Sequence, residues 1–297
     1  METVEKCIVC GSSNFEPFIK CKDFTVSHET FEIQKCSSCG FRFTSPRPSS
    51  TEIGPYYKSE DYISHSNTKT GLIHKMYHWV RSYTLIKKLQ LVMTHSVKQG
   101  TILDFGCGTG AFLSVCKQNK WNVFGMEPDP DAREIAKETN GISSASSIQD
   151  FDQQFPGERF DAITMWHVLE HVHDLEELFA FFNQRLKEKG ALIIAVPNCS
   201  SYDAKKYGEF WAAYDVPRHL YHFTPKDMKT LFEGRGYKQM KVLPMIFDAF
   251  YVSMLSEKYK RGKISYLNAF FTGLRSNLKA NKTGLEFSSQ IYVFKKK

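Results

Sequence analysis

The sequence predicts an α/β fold, a mostly parallel sheet with helices on both faces, preceded by a small cysteine-rich ribbon. Three observations carry this. From Gly100 onward, strand-like and helix-like segments alternate. The first of these strands runs through a glycine-rich turn into a helix. Ahead of them, two cysteine pairs of matched spacing sit among short apolar–polar alternations.

Residues 1–45 form the expected ribbon, with Phe-Glu-Ile and Phe-Arg-Phe alternations that read as strands. The run Ser45-Pro46-Arg47-Pro48-Ser49-Ser50 is turn and linker chemistry. Residues 46–98 then hold a linker and a helical segment, in which Met76, Trp79, Val80, Tyr83, Ile86 and Lys87 fall mostly at three-and-four spacing. Residues 99–297 carry the main domain. Its first strand is Thr101 to Phe105, followed by a helix from Ala111 to Asn119 and a strand from Asn122 to Met126. A helix over Asp131 to Glu138, a strand over Phe160 to Met165, a helix over Asp174 to Lys187 and a strand over Ala191 to Val196 continue the pattern. The strands around Lys238 to Leu243 and Gln290 to Phe294 are separated by an insert of about forty residues, 245–284. In it Phe247, Phe250, Tyr251, Met254 and Leu255 fall on one helical stripe, and Leu267, Phe270, Phe271, Leu274 and Leu278 on another.

No apolar run is long enough to cross a bilayer, and Met1 to Lys6 are polar, so a cytoplasmic location is expected. Disulfides are not expected there. The formal charge of +7 is unevenly placed: Ser256 to Lys297 carries ten basic residues against two acids, and the other residues sum to −1. A solvated lysine-rich face explains this most simply. Anionic substrate, nucleic acid or a peripheral membrane contact are the functional readings.

Cys7-x-x-Cys10-Gly11 and Cys36-x-x-Cys39-Gly40 are two knuckles. Two residues between the members of each pair let both sulfurs reach one ion, and four thiolates suit tetrahedral zinc. Such a closed site has no open position, so a structural role is expected for Cys7, Cys10, Cys36 and Cys39. Cys21 reads as a small core residue.

In Leu103-Asp104-Phe105-Gly106-Cys107-Gly108-Thr109-Gly110, glycines let backbone approach a ligand, and the helix that follows offers free N–H groups. The spacing Asp104-x-Gly106-x-Gly108-x-Gly110 differs from the dinucleotide fingerprint. It resembles motif I of class I S-adenosylmethionine-dependent methyltransferases, of the type 23-like group. Glu127, ending the second strand about twenty residues on, stands where a carboxylate accepts both ribose hydroxyls. The resemblance covers roughly residues 100–240 and implies a seven-stranded Rossmann-like sheet. It also implies cofactor contacts from Asp104, Gly106, Cys107, Gly108, Gly110 and Glu127. Ser147 and Ile148 stand where the family meets the adenine, and Trp166 and His167 open its motif after the fourth strand. With the knuckles, the chain also resembles zinc-ribbon methyltransferases, some of which act on deoxysugars. Those have a further large C-terminal domain, so the sugar substrate does not carry over. In such relatives the segment before the main domain folds over the cofactor, which singles out Tyr62 among Tyr56, Tyr57 and Tyr62.

Methyl transfer is an in-line displacement that needs positioning and, for a weak nucleophile, a base. His171, in Trp166-His167-Val168-Leu169-Glu170-His171, follows a strand end, where open α/β sheets place their sites. His167 and His171, four apart, leave a metal pair as an alternative. In Tyr214 to Pro225, His219 is the first choice for general base and His222 the second, with Arg218 for an anionic group. Thr224-Pro225 should open a helix. The expected activity is methyl transfer to a small-molecule or carrier-linked metabolite. RNA methylation is disfavoured because Met1 to Thr44 holds more acids than bases. A non-catalytic S-adenosylmethionine-binding or interaction module is the remaining alternative. Homodimer formation through the insert is left open.

Overall fold

A computed structural model describes residues 1–58 and 72–297, and for 72–79 the backbone alone. Tyr62 and the side chains of Met76 and Trp79 therefore lie outside the described residues.

Two sheets organise the chain. The ribbon strands are β1 (Phe15–Lys22), β2 (Thr30–Cys36) and β3 (Arg42–Thr44). Helix α1 (Leu72–His95) leads into the main domain. There β4 (Thr101–Phe105), α2 (Ala111–Gln118), β5 (Asn122–Met126), α3 (Pro130–Asn140), β6 (Ser144–Ala145) and α4 (Ile148–Gln154) alternate as expected. β7 (Phe160–Trp166), α5 (Leu175–Arg185), β8 (Leu186–Pro197) and α6 (Tyr202–Tyr207) continue, then a short β9 (Tyr221–His222). The chain ends with α7 (Pro225–Glu233), β10 (Tyr237–Pro244), α8 (Asp248–Arg261), α9 (Tyr266–Thr283) and β11 (Ser289–Lys296).

The large sheet has seven strands in the order β10-β11-β8-β7-β4-β5-β6. β4 pairs parallel with both β5 and β7, β7 parallel with β8, and β11 runs antiparallel between β8 and β10. Ala191 to Val196 is buried at every position, because both faces of β8 are covered. Alternate residues serve opposite faces. Leu192, Ile194 and Val196 pack with Phe160, Phe182 and Phe232, whereas Ala191 and Ile193 pack with Ile102, Cys116 and Val92 of α1. β8 starts at Leu186, earlier than the sequence suggests, since Leu186 pairs with Phe160 and takes the chain out of α5.

Helix starts follow their caps. Thr224 accepts from the Asp227 N–H while the Asp227 carboxylate accepts from the Thr224 N–H, with Pro225 in the first turn of α7. Asp129 caps α3 in the same position, ahead of Pro130.

The ribbon is not closed on itself. β3 pairs with β9, so its sheet has the order β1-β2-β3-β9, with Arg42 opposite His222. Cys7, Cys36, Phe41 and Phe43 belong to the same apolar cluster as Leu220, Tyr221, Phe223 and Met228. The boundary at residue 45 therefore separates segments of sequence that pack as one body.

Candidate active site

The glycine turn after β4 folds back on β5: the N–H groups of Gly106 and Cys107 both donate to the Met126 carbonyl, at 2.7 and 3.0 Å. Gly106 has φ +74° and an added Cβ would lie 2.4 Å from Val168, so both conformation and packing require glycine there. Gly108 also has positive φ, yet a Cβ on it would meet nothing within 4 Å. The middle of the turn thus faces open space, as a ligand cradle must. Its N–H donates to Glu127 Oε2 at 2.8 Å, and the Asp129 N–H donates to Oε1 at 3.0 Å. Burial raises the Glu127 pKa against these bonds. The next strand end adjoins it, since the Glu127 N–H donates to the Ala145 carbonyl at 2.8 Å. Ser147 caps α4 through the Asp150 N–H, and Ile148 is that helix's first residue, half-buried.

Asp104 lies beneath the turn, not in the open. Its carboxylate accepts from the Thr164 hydroxyl at 2.6 Å, and burial pushes its pKa up to about 7 against that bond and the Lys88 charge. Cys107 is buried, its thiol pushed up to about 12, first by burial and then by Asp104. Trp166 stands edge-on to Phe112, with the Lys88 ammonium 4.2 Å from its ring centre. Its indole N–H is buried and has no hydrogen-bond partner among the described residues.

Beyond this turn lies a cavity of about 350 Å³. His167, Asp215 and His219 line it together with Asp248, Tyr251 and Tyr259 of α8, and His167 meets Asp248 in that lining. Val168 packs on Gly106, so the His167 wall adjoins the glycine turn. His219 Nδ1 lies 2.9 Å from the Ala213 carbonyl. A carbonyl only accepts, so Nδ1 carries a proton, and in the neutral ring Nε2 is the nitrogen left to accept one. Asp215 Oδ2 is 3.9 Å from that Nε2.

The His171 ring meets His219 edge-to-face, with centres 4.6 Å apart. Its Nδ1 is 2.9 Å from the Tyr57 hydroxyl and 3.1 Å from the Arg218 carbonyl. Burial, then the neighbouring His219, pushes His171 down to about 4. Glu170 is fully buried, and among the described residues its carboxylate has no well-formed hydrogen bond, only the His167 ring at 3.5 Å. Burial raises its pKa, but His167, His219 and His171 more than reverse this and hold it below the usual carboxylate range. His167 has φ +59° and stands between two acids, with Nδ1 3.5 Å from Glu170 and Nε2 3.1 Å from Asp248. Burial opposes its charge, yet Asp248 and Glu170 lift it to about 10.

Two sequence candidates sit elsewhere than expected. Arg218 is buried: Nε and Nη2 donate to Asp215, Nη2 also to Asp23 at 3.0 Å, and Nη1 to the Tyr56 carbonyl at 2.9 Å. It clamps the loop to the ribbon and does not offer an anion site on the cavity. Burial opposes its charge, but the two carboxylates raise its pKa further. His222 is also buried, with Nε2 3.0 Å from the Thr44 hydroxyl and its ring edge-on to Tyr214, and it is not among the cavity-lining residues. Burial, and then His219, holds it well below the usual histidine range. His167 and His171 do not pair as metal ligands, because the left-handed turn at His167 separates their directions: one meets Asp248, the other His219. Sequence reasoning missed Lys88 and Asp23, whose partners Trp166 and Arg218 are far away in the chain, and it gave no role to Asp215, whose partners Arg218 and His219 are close by.

The four knuckle cysteines converge: Cys7 Sγ is 3.6 Å from Cys39 Sγ, and Cys10 Sγ is 3.6 Å from Cys36 Sγ. Gly11 and Gly40 donate to the carbonyls of Cys7 and Cys36, with positive φ at both glycines.

The sequence matches the model of the family described as "Methyltransferase domain" over residues 76–242. An uncharacterized methyltransferase of Anoxybacillus flavithermus is 27% identical over 146 residues, 46% of this chain and 68% of that protein. One from Bacillus cereus is 28% identical over 148 residues, 46% and 69% of the two chains. The fold is shared with magnesium protoporphyrin IX methyltransferase of Synechocystis with bound S-adenosylhomocysteine, at TM-score 0.50 and 12% identity, covering 82% of this chain and 97% of that one. Geranyl diphosphate C-methyltransferase of Streptomyces coelicolor aligns at TM-score 0.50 and 12% identity, covering 78% and 88%. With the strand order, the glycine cradle and Glu127 in place, the chain belongs to the methyltransferase-domain family and is a class I S-adenosylmethionine-dependent methyltransferase.

Proposed function

We propose that the enzyme methylates a small-molecule or carrier-linked metabolite, with His219 as general base. The observation that carries this is the orientation of His219: Nδ1–H is held by the Ala213 carbonyl, so in the neutral ring Nε2 is the acceptor, in a residue that lines a 350 Å³ cavity. S-Adenosylmethionine supplies an electrophilic methyl group. Gly106, Gly108, Gly110, Glu127, Ser147, Ile148 and the Trp166 N–H hold the cofactor, and Tyr62 is kept as a candidate for covering it. The acceptor lies against His219, Asp215 and Tyr251. With the cofactor bound, the acceptor would gain the methyl group as the methyl–sulfur bond breaks and S-adenosylhomocysteine leaves; the acceptor's proton would pass to His219 Nε2, and the carboxylates of Asp215 and Glu170 would stabilise the imidazolium. His171 positions His219 through ring contact.

His219→Ala should lower methyl transfer by ~10²–10⁴-fold, the usual worth of a general base. Affinity for S-adenosylhomocysteine, measured by calorimetry, should stay within ~2-fold. Transfer at the parent rate would remove His219 from the mechanism. The assay is label transfer to a metabolite extract, with the product identified by mass spectrometry.

The ribbon, residues 1–45, is proposed to hold structural zinc. Tetrahedral Zn–S bonds of ~2.3 Å imply sulfur separations of ~3.8 Å, near the 3.6 Å observed. One zinc per chain by elemental analysis is expected, with a lower melting temperature after chelation. A metal-free chain of equal stability would dismiss it.

A further inference from the structure

Helix α9 is turned inside out. Tyr266, Leu267, Phe270, Phe271, Leu274 and Leu278 are exposed, Leu267 by 73% and Phe271 by 62%. Its buried face carries small and polar residues instead, among them Thr272, Gly273, Ser276 and Asn277. That orientation is fixed. A Cβ on Gly273 would lie 2.7 Å from the Phe250 ring of α8. Ser276 donates to Asp203 at 2.6 Å, and Asn277 donates to the Ile246 carbonyl at 2.8 Å. Rolling the helix to hide its apolar stripe would break both bonds and the close helix contact.

At 100° per residue the six exposed side chains occupy one arc of about 140°. Arg275, Lys279 and Lys282 border that arc on one side, and α9 contains no acidic residue. Lys263 adds positive charge at the turn joining α8 to α9, whereas Arg261 is paired with Glu257 at 2.6 Å. A contiguous apolar stripe of this size on a soluble surface marks a binding face. We propose that α9 docks on a membrane surface rich in anionic phospholipid, with its aromatic and leucine side chains at the headgroup–acyl boundary and its basic border on the phosphates. No helix among the described residues is long and apolar enough to cross a membrane, which fits a helix lying in the interface plane.

Charge selects this occupant over a second copy of the chain. A two-fold pairing through α9 would present the same surface from both sides, basic border included, with no acid on the helix to offset it. Anionic headgroups supply the missing countercharge. α8 both lines the cavity and packs against α9, so docking would set the cavity about two helix layers from the bilayer.

The test is vesicle flotation of the full chain, which needs neither cofactor nor acceptor and so stands apart from the proposed chemistry. The chain should float with vesicles of phosphatidylcholine doped with phosphatidylglycerol, and remain behind with phosphatidylcholine alone. Phe270→Ser/Phe271→Ser should weaken binding at least ~10-fold, through lost apolar burial. Arg275→Gln/Lys279→Gln/Lys282→Gln should abolish the preference for the anionic lipid and most of the salt dependence. The altered side chains are exposed but not without contacts, since Phe270 packs on Phe250 and both Arg275 and Lys279 lie over Tyr202; a melting temperature and an S-adenosylhomocysteine affinity close to the parent's are therefore measured first, to show that each variant is folded. Absence of flotation with either vesicle would overturn the inference. So would equal binding by parent and Phe270/Phe271 variant. A lipid-free dimer in sedimentation equilibrium, dissolved by the phenylalanine changes, would give the surface to a second copy instead.

Discussion

The two ends of the active site are built by different means. The cofactor end is mostly backbone: a turn of three glycines, the tip of β5 and the start of α4, all within residues 104–150. The acceptor end is side chains gathered from five separate places. Asp23 comes from the ribbon, Tyr57 from the linker, Glu170 and His171 from the turn after β7, Asp215 to His219 from the loop before β9, and Asp248 from the insert. A backbone cradle needs only local sequence to form. A side-chain cluster forms only when the whole fold is in place, and its charges must balance inside the protein.

The largest effect should follow from breaking that balance. Arg218→Met leaves the buried Asp23 and the half-buried Asp215 without their countercharge, and should lower stability by ~3–5 kcal/mol in urea unfolding. A loss under ~1 kcal/mol would mean that solvent, not Arg218, satisfies the two acids. Glu127→Ala sharpens the contrast. It removes a charged acceptor from an edge of the sheet, so S-adenosylhomocysteine affinity should fall ~10–100-fold while the melting temperature barely moves. Stability loss without affinity loss would make the cofactor end as tightly coupled to the fold as the acceptor end. The smallest effect concerns His167, where the two ends meet. Its folded pKa of about 10 lies above the ordinary histidine value of 6.5. The Asp248 and Glu170 pairings therefore stabilise fully below pH ~6.5, and that stability is lost as pH rises through about 10. The ring is half-buried, with 34% of its side chain exposed, and solvent screens it. The difference between parent and His167→Asn across this range should thus stay below ~1 kcal/mol.

The same contrast explains what the sequence made legible. Every strand of the large sheet except the two-residue β6 follows from local apolar runs and turn chemistry, and β5 matches its expected bounds of Asn122 to Met126. The glycine spacing and Glu127 were readable because they lie about twenty residues apart in one β-α-β unit. Arg218 and His222 were placed wrongly for one physical reason. A polar side chain in a loop has the same signature whether it faces a substrate or a buried partner, and Asp23 and Thr44 lie more than 170 residues upstream. His219 and Arg218 are neighbours in sequence, yet one lines the cavity and the other seals the loop. The stripe on α9 was legible as amphipathic, but its outward direction depends on Gly273 meeting Phe250.

The pairing of β3 with β9 joins Arg42 to His222 across most of the chain, and it sets how far the enzyme can be trimmed. Cutting away the ribbon to leave a minimal catalyst would strip Tyr221 and Phe223 of Phe41, and leave an unpaired strand edge beside the proton-accepting loop. Such a fragment should self-associate through that edge. The pairing cannot close until both halves have been synthesised, whereas the glycine turn and Glu127 need only about twenty-five residues. The loop that carries His219 therefore depends on nearly the whole chain for its shape, and the turn after β4 does not.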